Sequence, residues 1–404
     1  MKFRTHKLDN GLQIIAECNQ YAYSTSIAFF VSTGSRDETP EVSGVSHFLE
    51  HMVFKGTPRR SAADVNRELD ELGSHSNAFT SEEQTVYYAT VLPEYQNEVV
   101  DLLSDIMRPS LRQEDFDSEK KVIIEEIYKY EDQPPFGAYE KCMAAYFDRH
   151  PLANNILGTV DSVGEMNPQA MRKYFEARYS PGNMTLAACG NVDFDALVAE
   201  AEKHCGAWGS FETGRKTDRS KGQAGFERIQ KESATQEYAV LISAGPSADD
   251  PLRFAARLLA YSLGDDGGSR LYWSLVDPGI AEYAGASPHE FDGDGIMLSY
   301  LCCTPEDASR NLECIGGIFN DLDAKGVTAD ELELAKSKVC SQLVRRSERP
   351  SNRLFSVGNN WLLRNEHRTV KESIDAYQAV TLDDVKAVVE KYPLSETMTV
   401  SVGP

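Results

Sequence analysis

The stretch "NPQAMRKYFEARYSPGNMTLAACGNV" at 167–192 is echoed about 214 residues later by "TLDDVKAVVEKYPLSETMTVSVGP" at 381–404. Each opens on a helix N-cap signal, Asn167-Pro168 in the first and Thr381 with Asp383 and Asp384 in the second. Each continues as a helical pattern, then a Tyr, a Pro-containing turn and a Met-Thr-aliphatic strand ending in Gly. A unit this long that occurs twice specifies two domains of similar fold, since a solenoid needs several copies. A chain of 404 residues is also too long for one ordinary core. The joint falls in "GSFETGRKTDRSKGQAGFERIQKES", rich in Gly, Ser and charge and poor in aliphatics, the composition of an exposed linker. The expected division is a domain at 1–208, a linker at 209–233 and a second domain at 234–404.

Both halves mix β-rich runs with long helical patterns. "STSIAFFVSTGSR", "EQTVYYATVL", "EYAVLISAG" and "GIMLSYLCCT" read as strands. Helical periodicity fills 43–55, 61–73, 93–108, 112–132, 136–147, 251–262, 305–325 and 328–346. Strand runs separated by helical pairs predict an α+β chain: two homologous α/β-sandwich domains, each a mostly antiparallel sheet with helices packed on one face.

The formal charge of −22, from 41 Lys and Arg against 63 Asp and Glu, argues against nucleic acid as a partner. Binding phosphates needs clustered cations. No 18-residue apolar run predicts a membrane span, and the first residues carry no apolar signal region, so the cytoplasm is the expected compartment. Eight cysteines without a CxxC pair or an even framework read as reduced and structural.

The chemistry concentrates in "SHFLEHMVFKGT", 46–57. His47 and His51 stand four apart, so on a helix both imidazoles project from one face and can reach a single ion. Zn²⁺ accepts neutral imidazole and carboxylate, and a catalytic site keeps a position open. Glu50 sits beside that face, close enough for a general base and poorly aimed for a third ligand. The third donor is sought in "DFDSEKKVIIEEIYKYED", 115–132. A helical wheel puts Val122, Ile123, Ile127 and Tyr130 on one side, with Glu126 and Glu119 inside that arc and Glu125 toward solvent. A carboxylate on an apolar face is costly unless paired or metal-bound. Glu126 is therefore the expected ligand and Glu119 a supporting partner that orients a histidine or the water.

Together "HFLEHMVFKGT", the Glu about 75 residues downstream within "KKVIIEEIYKYEDQP", and "NAFTSEEQTVYYATVL" resemble the M16 (pitrilysin/insulinase) zinc metallopeptidases, with their inverted His-x-x-Glu-His order. The resemblance is closest to the short, processing-peptidase-like (M16B) members. It implies one Zn²⁺ per chain held by His47, His51 and Glu126, with Glu50 as catalytic base and Glu119 as a supporting carboxylate. It also implies a peptide substrate enclosed in a chamber between paired chains, as a homodimer or a heterodimer with a related subunit. In similar proteins the strand within "GSHSNAFTSEEQTVYY" lies beside the zinc, which makes Asn77, Ala78 and Phe79 substrate-contact candidates. As a sheet edge it could take an extended peptide as an added strand. His75, on the turn before it, reads as a surface histidine.

The second half departs from that pattern. Where family members carry an Arg and a Tyr, this chain has "SRLYWSLVDPGIAEYAGAS", with Val276 at the Arg position and Glu282 or Tyr283 at the Tyr position. Tyr283 is retained as a candidate substrate contact. Arg270 reads as a structural residue at a helix start, and its Gly-rich approach "GDDGG" carries two aspartates that would repel a phosphate.

Overall fold

The β-branched and alternating runs become strands where the pattern places them in the computed structural model, which describes residues 1–404. In chain order the strands are β1 (Lys2–Lys7), β2 (Gln13–Cys18), β3 (Thr25–Val31), β4 (His75–Thr80), β5 (Thr85–Val91), β6 (Met184–Gly190), β7 (Gly225–Gln230), β8 (Glu237–Ala244), β9 (Tyr283–Glu290), β10 (Gly295–Cys303) and β11 (Met398–Gly403). The α-helices are α1 (Val45–Val53), α2 (Ala62–Glu71), α3 (Gln96–Ile106), α4 (Gln113–Asp132), α5 (Ala138–Phe147), α6 (Val160–Glu165), α7 (Pro168–Arg178), α8 (Phe194–Cys205), α9 (Arg253–Gly264), α10 (Ala308–Lys325), α11 (Ala329–Ser347), α12 (Pro350–Arg364), α13 (Val370–Ala379) and α14 (Leu382–Lys391). None is long and apolar enough to cross a membrane.

The first sheet runs β1-β2-β6-β3-β5-β4 and is antiparallel except between β2 and β6. The second runs β7-β11-β8-β10-β9 and is antiparallel except between β7 and β11. Five strands thus recur in the same order and the same relative directions, with β6 and β11 in equivalent central places. The duplication read from those two strands extends to all five strands of the second sheet, with β1 the one addition in the first.

Two compact units result, each an α+β sandwich. The first comprises Met1–Ile127, Asn154–Lys216 and Arg346–His367; the second comprises Tyr128–Ala153, Thr217–Arg345 and Arg368–Pro404. They are not the contiguous halves 1–208 and 234–404, because each takes in one helix from the other half of the sequence. The reason lies in the strands. Every residue of β3 is buried, so both faces of the sheet need cover. In the first unit one face packs under α1, α3, α4, α7 and α8. The opposite face, carrying Ile15, Ala28, Phe30, Val86 and Ala187, is covered by Leu354 and Val357 of α12. In the second unit α5 does the same, setting Cys142, Met143 and Tyr146 against Val240, Ile296 and Val400.

The expected linker at 209–233 is also more structured than its composition implies. It contains β7, whose strand residues are nearly all exposed at the sheet edge, which accounts for their polar character. Ahead of β7, Arg215 is held by Asp37 at 2.6 and 2.9 Å, and the Gly214 carbonyl accepts from Arg178 at 2.8 Å.

Candidate metal centre

Helix α1 begins at a turn that only glycine fits. Gly44 has φ +88°, and a Cβ there would lie 2.5 Å from the Leu157 carbonyl oxygen. Glu38 closes the helix start by accepting the N–H groups of Gly44 and Ser46, each at 2.7 Å, which satisfies donors left free by the first turn. Residues Val45 to Glu50 are all buried, so the side chains of α1 are held by packing before any ligand arrives.

On that base, His47 and His51 stand with ring centroids 4.7 Å apart. Glu126 reaches them from α4, its Oε2 lying 3.8 Å from His47 Nε2 and 3.7 Å from His51 Nε2. One donor atom from each of the three lies within 4.8 Å of the others, and no other such set of His, Cys, Asp or Glu occurs in the chain. Donors on one tetrahedral zinc stand about 3.3–3.5 Å apart, so the His–Glu spacings are within a few tenths of an ångström of closure. Burial, with the neighbouring His51 second, pushes the His47 pKa down to about 3, so the ring is the neutral imidazole a metal needs. Its Nδ1 is buried without a protein partner.

His51 is oriented from behind. Its Nδ1 lies 2.9 Å from Glu119 Oε1, and Glu119 Oε2 lies 2.5 Å from Lys55 Nζ. Burial alone would raise the Glu119 pKa, but its bonds to His51 and Lys55 hold it below the usual carboxylate range. An ionised Glu119 accepts Nδ1–H and leaves the Nε2 lone pair of His51 facing the donor set. Three carboxylates, Glu50, Glu119 and Glu126, thus surround two imidazoles with Lys55 the cation paired among them. That charge balance and donor set fit a divalent cation.

Glu50 is 9% exposed, and burial raises its pKa. Its Oε2 accepts a 2.7 Å bond from the Thr80 hydroxyl at the end of β4. β4 is the edge of its sheet, as its polar start implied. Asn77 and Phe79 point to one side of it, and Phe79 packs with its ring 5.9 Å from Phe355 of α12. Ala78 points to the other side, into the core beneath α1. His75 is exposed.

Two wheel placements fail: Val122 and Tyr130 are 48% and 52% exposed, while Phe116, Glu119, Ile123 and Ile127 form the buried side of α4. Tyr283 belongs to the second unit, at the start of β9, and is 45% exposed. Val276 ends a π-helical turn (Tyr272–Val276) and packs against the second unit's core. Arg270 is fixed by Glu331 at 2.7 and 2.9 Å and by Asp321 at 2.8 Å, a structural role. Lys55 and Thr80 are the residues the sequence reading passed over. Thr80 could have been found by alternation, since it follows Ala78 by two and so shares its face toward α1.

Fold and donor set together define a duplicated α+β protein with one candidate metal centre, carried by its first repeat. Residues 13–160 match the family model for Insulinase (Peptidase family M16), and residues 165–339 match that for the Peptidase M16 inactive domain. The chain belongs to peptidase family M16. It is 32% identical over 390 residues to the uncharacterized zinc protease YmxG of Bacillus subtilis, covering 95% of this chain and 94% of that one. It is 31% identical over 394 residues to an uncharacterized zinc protease of Mycobacterium tuberculosis, covering 95% and 89%. Its fold matches the crystal structure of a protease from Helicobacter pylori with a TM-score of 0.91, at 22% identity, over 100% of this chain and 99% of that one.

Proposed function

We propose that this chain is a zinc-dependent endopeptidase that hydrolyses extended or unfolded peptides, one ion per chain held by His47, His51 and Glu126. The observation that carries the reading is the convergence of those three donors beside a buried carboxylate and an edge strand. The chemistry such an ion supplies is polarisation of the scissile carbonyl and acidification of a water. Glu50 is the general base: Oε2 is held by Thr80, and Oε1, which makes no hydrogen bond to protein, takes the water's proton and passes it to the leaving amine. Glu119 orients His51. The peptide adds to the free edge of β4 beside Asn77, Ala78 and Phe79, through backbone hydrogen bonds that are indifferent to sequence. Tyr283 is a further substrate contact. Paired chains, either two copies or this chain with a related M16 subunit, enclose the chamber where this happens. All eight cysteines are free, which suits a reducing compartment such as the cytoplasm.

Val276, an aliphatic residue where relatives place an arginine, favours a second reading: a weakly active or non-catalytic peptide-binding subunit. Loss of one electrostatic stabiliser can cost orders of magnitude in rate. Metal analysis combined with cleavage of a mixed peptide library, wild type against Glu50→Gln, separates the two. The peptidase reading expects bound zinc, cleavage by the wild type and none by the variant. Bound zinc without wild-type cleavage selects the binding subunit, and absence of metal at neutral pH defeats the site.

A further inference from the structure

The carboxylate assigned as base does not hold itself in place. Glu50 is buried on α1, and its one hydrogen bond comes from a different element, the edge strand. Thr80 is the last residue of β4 and lies opposite Thr85 of β5. The Thr85 hydroxyl gives its proton to the Thr33 carbonyl at 2.9 Å, so the 3.5 Å contact between the two threonines can only be a donation from Thr80. The Thr80–Glu50 separation of 2.7 Å is much the shorter, and there the hydroxyl is the donor and the carboxylate oxygen the acceptor. The Thr80 proton is therefore committed to Glu50. Threonine is stiff at χ1, so the direction of that bond is set by the strand backbone.

We propose that Thr80 is a positioning residue for Glu50, and that through it the strand on which the peptide docks also sets the angle of the base. This rests on the reading of Glu50 as base and adds to it. Thr80 directly follows the docking positions Asn77, Ala78 and Phe79: Phe79 packs on α12 and Ala78 is seated beneath α1, so β4 is clamped from both faces. A peptide paired along the free edge is thereby registered against Glu50 by a rigid piece of backbone and one hydroxyl. A base must stand within hydrogen-bond reach of its proton, and small misplacements are expensive.

The test is Thr80→Val, isosteric but without the hydroxyl, alongside Thr80→Ser. The valine variant should lose about tenfold or more in kcat with KM changed less than about twofold, and serine should restore the rate. Zinc content should equal that of the wild type. Peptide affinity, measured by fluorescence anisotropy in the inactive Glu50→Gln background, should be unaltered by the valine. In that background the residual rate should not fall further, because a residue acting only through Glu50 has nothing left to position. A valine variant with wild-type kcat, a loss that appears in KM alone, or an equal loss in the Glu50→Gln background overturns the proposal. If Glu50→Gln itself turns over normally, the base assignment falls instead, so the two failures are distinguishable.

Discussion

One peptide bond separates Glu125 from Glu126, and about 100° of helical rotation gives them different surroundings. Glu125 is exposed, whereas Glu126 places Oε2 between the Nε2 atoms of His47 and His51. Replacing Glu126 by Gln should weaken zinc binding by more than about a hundredfold, while Glu125→Gln should leave it unchanged; competition with a chromophoric chelator measures both. Lys55→Met acts at one remove, by loosening Glu119 behind His51, and should cost about tenfold in the same assay. The wheel puts Glu125 toward solvent and Glu126 toward the histidines, as the structure does, because adjacent helix positions differ by about 100°. It misplaced Val122 and Tyr130 for geometric reasons. Val122 is rotated about 100° from Ile123, and Tyr130 lies beyond Ile127, where α4 leaves the first unit.

At the scale of elements, α12 was the part least legible in the sequence. Its destination depends on which sheet has an uncovered face, and local periodicity holds no record of that. The wholly buried β3 was the available hint, since a strand with one wet face would alternate. Once docked, α12 is pinned by charge as well as packing: Arg353 bonds both oxygens of Glu17 at 2.5 and 2.7 Å, and His367 Nε2 lies 2.8 Å from Glu17 Oε2. Burial alone would raise the Glu17 pKa, but the bonds to Arg353 and His367 outweigh it and hold the value at about 2. A depressed folded-state pKa contributes stability that is complete well above pH 4.5 and is lost as pH falls toward 2. Glu17→Gln should therefore destabilise the protein by about 3 kcal/mol at pH 7. The gap between wild type and variant, from urea unfolding in EDTA, should shrink to under about half by pH 3. A gap independent of pH would remove the ion pair from the account of how α12 is held.

At the scale of the whole chain, duplication preserved the sheet and let the chemistry diverge. The helix that follows β8 is α9, in the place α1 occupies after β3, and its sequence "RFAARLLAYSLG" has no histidine or carboxylate. Strand order survives because the inner strands are each specified by two neighbours and buried faces, whereas a donor set is lost with any one of three side chains. The first repeat alone carries the candidate metal centre, while the chain as a whole carries the charge. With a formal charge of −22, the protein attracts cationic ligands and repels anionic ones within about a Debye length of its surface. If peptides are drawn to β4 through that field, kcat/KM for Lys- and Arg-rich peptides should exceed that for Asp- and Glu-rich peptides of equal length. The backbone contacts of strand addition do not distinguish these peptides, so the ratio isolates the electrostatic part. It should fall toward unity as salt rises from about 0.05 to about 0.5 M, because screening shortens the field without touching the hydrogen bonds. A preference for acidic peptides, or a basic preference indifferent to salt, would place the selectivity in specific side-chain pockets rather than in the acidic surface.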